Sequence, residues 1–339
     1  PDRWGRTLMR RREAINARQQ DRKPRTLTEA GYLMGVYDGN RMGALRFKFS
    51  KEGDFMDNDR SLATPPWASI RELEHASLQI EREDNAGTPE HTRWIDMLVA
   101  PGSSLGGARP KANVVDENGR LWIVKFPSAG DTKDSGAWEM VTAELARSCG
   151  IEISECRAQR FGSRHHSFMT ERFDRSDTGR RIHFASAMTL LGYTDGTSHT
   201  EGASYLELAE WIIANCDDTD RNLEQLWRRI VFNIAVSNCD DHLRNHGFLL
   251  TPQGWRLSPA YDMNPDEYGT GLKLNISEND NSLDFDLSMS ITPYFGLEPA
   301  RAETILAEVK RAASGWRKLA TKYGISKSEQ DVMEKAFRY

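Results

Sequence analysis

At 339 residues, with 38% hydrophobic and 28% charged residues, the sequence is that of a globular protein long enough to build more than one core. No apolar run approaches the roughly 18–20 residues of a membrane span, and a net charge of −5 argues against nucleic acid as the partner of the whole surface. The four cysteines, Cys149, Cys156, Cys216 and Cys239, have neither metal-type spacing nor the density of a disulfide framework, and no signal peptide is evident, so reduced thiols in a cytoplasmic protein are expected.

The first 25 residues carry nine Arg or Lys against three acids, a local net of +6, with Leu8, Met9 and Ile15 as a weak apolar stripe. This pattern predicts a helix with a solvated basic face. Residues 27–33 read as helix, 43–49 alternate as a strand, 51–64 form a polar loop, 70–80 a helix and 81–90 a loop. Together they make a small mixed α/β unit without evident chemistry of its own.

Residues 100–111 (APGSSLGGARPK) are a Gly- and Ser-rich loop feeding a hairpin whose arms, 112–116 and 121–126, flank the turn Glu117, Asn118, Gly119, Arg120. Glycines in such a loop remove the side chains that would keep backbone N–H groups away from phosphates. Lys125 ends the second arm, where it can hold α- and β-phosphates. Residues 135–149 read as a helix stopped by Gly150, and it carries Glu139 and Glu144, either of which can pair with Lys125. A short strand at 168–170 runs into Glu171, Arg172, Phe173, Asp174 and Arg175, a natural hinge whose backbone would meet adenine.

From there the sequence turns helical at 185–191, 204–213 and 220–237. The last of these helices feeds Asp240, Asp241, His242 and Asn245, then a hairpin with arms 247–250 and 255–257, then Asp262. Phosphoryl transfer needs that order of parts: an Asp facing the attacking hydroxyl, an Asn on magnesium and a second Asp on metal and phosphates. The five-residue step of protein kinases fits Asp240 to Asn245 and not Asp241, so Asp240 is the expected base. Residues 273–276 read as a short strand and 299–323 as one amphipathic helix.

These segments together resemble the HipA-like serine/threonine kinases, toxins of bacterial type II toxin–antitoxin modules. The resemblance is carried by residues 1–6 (PDRWGR), 104–111 (SLGGARPK), 171–175 (ERFDR), 238–245 and 257–262, and so covers nearly the whole chain. It implies an α+β, two-lobed protein-kinase-like fold: residues 1–100 an N-terminal α/β subdomain, 101–175 a kinase N-lobe, and 176–339 a helical C-lobe. By resemblance Ser104 is an autophosphorylated serine in a loop with Leu105, Gly106 and Gly107, and Lys125 an ATP-binding lysine with Glu139 as its partner. Glu171 and Phe173 form the hinge, Asp240 is catalytic, His242 lies near the nucleotide, and Asn245 and Asp262 are magnesium ligands. Implied partners are a HipB-like helix-turn-helix antitoxin, operator DNA through it, and a protein substrate such as an aminoacyl-tRNA synthetase, with no membrane.

Family members carry a further subdomain ahead of the Pro1 segment, so it is expected to be cut off or to be a separate protein. Met263 and Asn264 stand where protein kinases have Phe and Gly after the metal-binding Asp. The same order of parts serves small-molecule and lipid kinases, and a catalytically inactive nucleotide-binding corepressor is the alternative of a different class.

Overall fold

The structure is a computed structural model and describes residues 2–57, 64–82, 88–102 and 107–339. Its contacts divide the chain into two compact units, Pro1–Gly136 with Cys156–Arg181, and Ala137–Glu155 with Ile182–Tyr339.

In the first unit α1 (Arg3–Gln19) is capped by the Asp2 side chain, and α2 (Glu29–Met34), α3 (Ile70–Glu81) and α4 (Pro89–Gly102) follow. The strands β1 (Lys111–Val115) and β2 (Leu121–Lys125) come next, separated from β3 (Cys156–Gln159) and β4 (Ser167–Glu171) by α5 (Ser135–Ser148). The sheet is antiparallel in the order β1-β2-β4-β3. Alternation along β2 buries Trp122 and Val124 with Leu8, Ile70, Leu73, Ile95 and Leu98, the core under the helices. Lys125 therefore shares the opposite face with Leu121 and Ile123. Two basic residues of α1 are held locally, Arg6 by Glu29 and Arg11 by the carbonyl of Ile80, and Arg22 just beyond the helix pairs with Glu13, while Arg3, Arg10 and Arg18 are exposed.

In the second unit β5 (His183–Ser186) leads through α6 (Ala187–Leu190) and α7 (Tyr205–Asn215) to α8 (Thr219–Val236). The strands β6 (Gly247–Leu250) and β7 (Trp255–Leu257) complete an antiparallel sheet ordered β5-β6-β7. The helices α9 (Phe285–Ser290), α10 (Pro299–Ser314), α11 (Trp316–Lys322) and α12 (Lys327–Met333) finish the chain. The core gathers around α8, where Leu226, Trp227, Ile230, Val231 and Ile234 are fully buried against residues of α5, α7 and α10. Among the described residues no helix is long and apolar enough to cross a membrane.

Five local expectations change. Residues 43–49 form no strand: at their start the Gly43 carbonyl accepts from Arg181 and its amide donates to Asp174, and the Phe47 carbonyl accepts the amide of Met56 in a local turn, so no ladder forms. Residues 273–276 touch a neighbour as a single bridge at Asn275, with adjacent carbonyls answering separate amides at His199 and Tyr205. The helix expected over 299–323 breaks at Gly315, the poorest helix former after proline. Ala185 and Ser186 belong to β5, and Ala100 to Gly102 close α4 instead of opening the loop.

Candidate active site

The loop after α8 starts with a backbone that turns out of the helix. Ser237 takes the left-handed conformation (φ 48°, ψ 49°), and its carbonyl accepts the amide of Asp266 at 3.1 Å. Asn238 bonds back to the Asn233 side chain at 3.0 Å and accepts the amide of Asn264 at 3.2 Å. The segment after Asp262 is thereby laced to the start of the loop.

Two adjacent aspartates then meet opposite environments. Asp241 is buried, and one of its carboxylate oxygens accepts from the Tyr205 hydroxyl at 2.6 Å, Asn233 Nδ2 at 2.7 Å and His246 Nε2 at 2.8 Å. Burial pushes its carboxyl up, but the adjacent His246 and the donated hydrogen bonds outweigh this and hold it below the usual carboxylate range. Asp240 is exposed, and its carboxylate has no hydrogen-bond or ion-pair partner among the described residues. Its carbonyl accepts from Asn245 Nδ2 at 3.1 Å, and with that amide committed, Asn245 Oδ1 remains as an oxygen donor.

Arg229, wholly buried in α8, donates to the carbonyl of Ser258 at 2.5 Å and braces the segment that leads to Asp262. Burial pushes its guanidinium down to about 10. The Tyr261 hydroxyl donates to the carbonyl of Arg244 at 2.7 Å, tying the same segment to the loop. Asp262 itself is held at φ 60°, a left-handed conformation that costs a non-glycine residue roughly 1–2 kcal/mol and that clusters at functional sites. His242 is half-buried, with its Nε2 3.4 Å from Arg244 Nη2. Oxygen donors such as Asn245 Oδ1 and the Asp262 carboxylate suit magnesium, which takes one or two protein ligands and completes its shell with phosphate and water. No group of three His, Cys, Asp or Glu among the described residues forms a metal cage by itself. Glu139 is buried in α5, whereas Glu144 is engaged by Lys322 at 2.7 Å and by the Tyr323 hydroxyl.

The first unit carries the other expected residues. Lys125 lies opposite Phe168 in the sheet, its ammonium 5.8 Å from that ring's centre. Glu171 ends β4 and accepts from Arg120 at 3.3 Å, while half-buried Phe173 follows between buried Arg172 and Asp174. Arg172 bonds Asp174, Asn113 and the carbonyls of Asn40 and Arg41, so the 171–175 stretch is fixed from behind. Gly107 stands at φ 83°, its amide held by the Asp2 carboxylate at 2.7 Å and its carbonyl by the amide of Trp4. The first residues of the chain thus anchor the exit of the Gly-rich loop. Ser104, Leu105 and Gly106 lie outside the described residues.

Sequence reasoning missed the Asp241 anchor and Arg229. One signal was present: Asn233 is a polar residue on the apolar face of α8, and His246 is another just before an apolar strand.

Comparisons with known proteins bear on the family and the fold. An alignment of 192 positions with the serine/threonine-protein kinase toxin HipA of Shewanella oneidensis is 26% identical and covers 48% of this chain and 43% of that protein. An alignment of 199 positions with toxin YjjJ of Escherichia coli is 25% identical and covers 56% of this chain and 44% of that protein. The matches therefore span less than half of either relative's own length. A solved structure of Shewanella oneidensis HipA, in complex with HipB and its operator DNA, superposes with a TM-score of 0.64 at 18% identity, covering 98% of this chain and 83% of that one. That likeness supports the α+β, two-lobed kinase-like fold. The sequence model of the HipA-like C-terminal domain matches residues 103–316, more than half of the chain, and the chain belongs to that HipA-like family.

Proposed function

We propose that this chain is an ATP- and magnesium-dependent protein kinase that phosphorylates a serine or threonine hydroxyl. The observation that carries the reading is the contrast between the two aspartates, one buried and locked as a structural anchor, the other exposed with an uncommitted carboxylate. A hydroxyl-orienting base needs the second environment.

When bound, Mg-ATP supplies the phosphoryl group and neutralises its charge. Asp240 orients the acceptor hydroxyl and takes its proton, and Asn245 with Asp262 offers oxygens to the metal. Lys125 and the loop of Ser104, Leu105, Gly106 and Gly107 hold phosphates and Glu139 pairs with that lysine, while the backbone at Glu171 and Phe173 and the ring of His242 sit with the nucleotide. Catalysis on this reading is positioning plus charge stabilisation. Residues 1–100 act as a subdomain before the nucleotide-holding part at 101–175 and the catalytic part at 176–339. Ser104 is an autophosphorylation site, where about −1.5 to −2 added charges would repel ATP. The partner is a HipB-like antitoxin, with operator DNA bound through it, and the target is a translation component such as an aminoacyl-tRNA synthetase in the cytoplasm.

The test is incubation of the purified chain with magnesium and γ-labelled ATP, beside the Asp240→Asn protein, read by intact mass and peptide mapping. Wild type should carry phosphate on Ser104 and label serine peptides. Asp240→Asn should still bind ATP but transfer about a thousandfold more slowly. Undiminished transfer by Asp240→Asn would reject the assignment, and phosphate mapped elsewhere would reject Ser104.

A further inference from the structure

Within the second unit a cavity of about 210 Å³ opens beside the loop after α8, with Thr194, Asp195, Asp240, His242, Arg244 and Lys273 among its lining residues. Its volume lies below the roughly 300–1,000 Å³ of sites that take a whole small-molecule ligand, and suits a single side chain. The cations around it differ in how they are occupied. Arg244 pairs with Asp195 at 3.2 Å and approaches His242 Nε2. Lys273 is half-buried, and its backbone is fixed by the amide of His199 bonding to its carbonyl at 2.8 Å. Its ammonium has no hydrogen-bond or ion-pair partner among the described residues. Ordering a long cationic side chain in a concave space costs rotamer freedom and part of its hydration, which an anion entering the cavity would repay.

We propose that this cavity is the acceptor subsite, and that Lys273 holds an anionic side chain of the acceptor segment. That anion is the phosphoryl group of the phosphoserine just formed or the carboxylate of a flanking acidic residue. The assignment rests on Asp240 as the hydroxyl-orienting group. In the transfer, the serine oxygen bonds to phosphorus while the bond from phosphorus to ADP breaks. ADP keeps that electron pair and the hydroxyl proton passes to Asp240. The acceptor is left with about −1.5 to −2 charges inside the cavity, where Lys273 is the lining cation without a partner among the described residues.

The experiment uses the full chain and labelled nine-residue peptides with a central serine or phosphoserine, flanked by alanines or by glutamates. Binding is measured by fluorescence anisotropy without nucleotide, on wild type, Lys273→Met and Lys273→Arg, alongside phosphate transfer from Mg-ATP to the serine peptides. Wild type and Lys273→Arg should bind an anionic peptide about tenfold tighter than the alanine-flanked serine peptide, and Lys273→Met should lose that preference. Preference for phosphoserine assigns the anion to the transferred group, and preference for glutamate assigns it to the flank. Equal binding of all peptides by wild type, or a preference kept by Lys273→Met, overturns the subsite. Transfer without the preference sinks the subsite and spares the kinase reading, whereas preference without transfer does the reverse.

Discussion

Three donors converge on one oxygen of Asp241, so replacing that residue by Asn leaves Tyr205 and His246 competing for a weaker acceptor in a buried place. Asp241→Asn should cost about 3 kcal/mol of stability, measured by denaturant unfolding at pH 7. The pH dependence has a definite sign. The folded carboxyl lies below its unfolded value, so its contribution is complete above the unfolded value near 4 and is lost as pH falls through the folded one. Wild type should therefore lose stability more steeply than Asp241→Asn between about pH 5 and 3. Equal slopes would mean that the Asp241 carboxylate is not the linked group. Exposed Asp240 should behave in the opposite way, its Asn variant keeping near-normal stability while transfer collapses. The five-residue step to Asn245 already favoured Asp240 in the sequence. Polar Asn233 and His246, 8 and 5 residues away, hinted that the adjacent carboxylate is an anchor, but its third partner, Tyr205, lies 36 residues away and beyond any local pattern.

At the scale of elements, the stretch at 171–175 is held from behind by a cluster of arginines on Asp38 and Asp174. Arg172 is fully buried and bonded to a carboxylate, an amide and two backbone carbonyls, while Arg46 and Arg181 reach Asp38. Arg172→Met should lower the stability of the first unit by about 4 kcal/mol, since it leaves Asp174 buried with less compensation. Hydrogen exchange at 38–46 and 171–175 checks the location, and unchanged protection there would show that the cluster does not hold the segment. This cluster also takes hold of the start of the alternating pattern at 43–49, which did not become a strand. The alternation was present, but the first residue of the stretch, Gly43, is bound through its carbonyl by Arg181 and through its amide by Asp174, 138 and 131 residues distant, and no local rule registers that competition. The hairpins β1-β2 and β6-β7 were legible because turn residues such as Gly119 and Gly254 act on their immediate neighbours.

For the whole molecule, binding is linked to folding. If the oxygens of Asn245 and Asp262 hold magnesium with ATP, Mg-ATP at a hundredfold excess over its dissociation constant should add about 2.7 kcal/mol to the unfolding free energy. Asn245→Ala should lose most of that increment while ATP without metal has the same small effect on both proteins, as read by calorimetry. An undiminished increment would remove Asn245 from the metal. The chain by itself determined the order of parts: a Gly-rich loop, a strand lysine, a helix with two glutamates, a hinge, and an Asp-to-Asn step followed by a hairpin and a second Asp. Those signals are local, set by periodicity, turn chemistry and spacing within a few residues. Tertiary structure alone decided which aspartate is buried, which arginines pin the hinge stretch, and that Lys273 shares a cavity with Asp240. Burial and charge pairing are properties of residues brought together from distant parts of the chain, and the physical cost of an unpaired buried group, not its neighbours in sequence, assigns each its place.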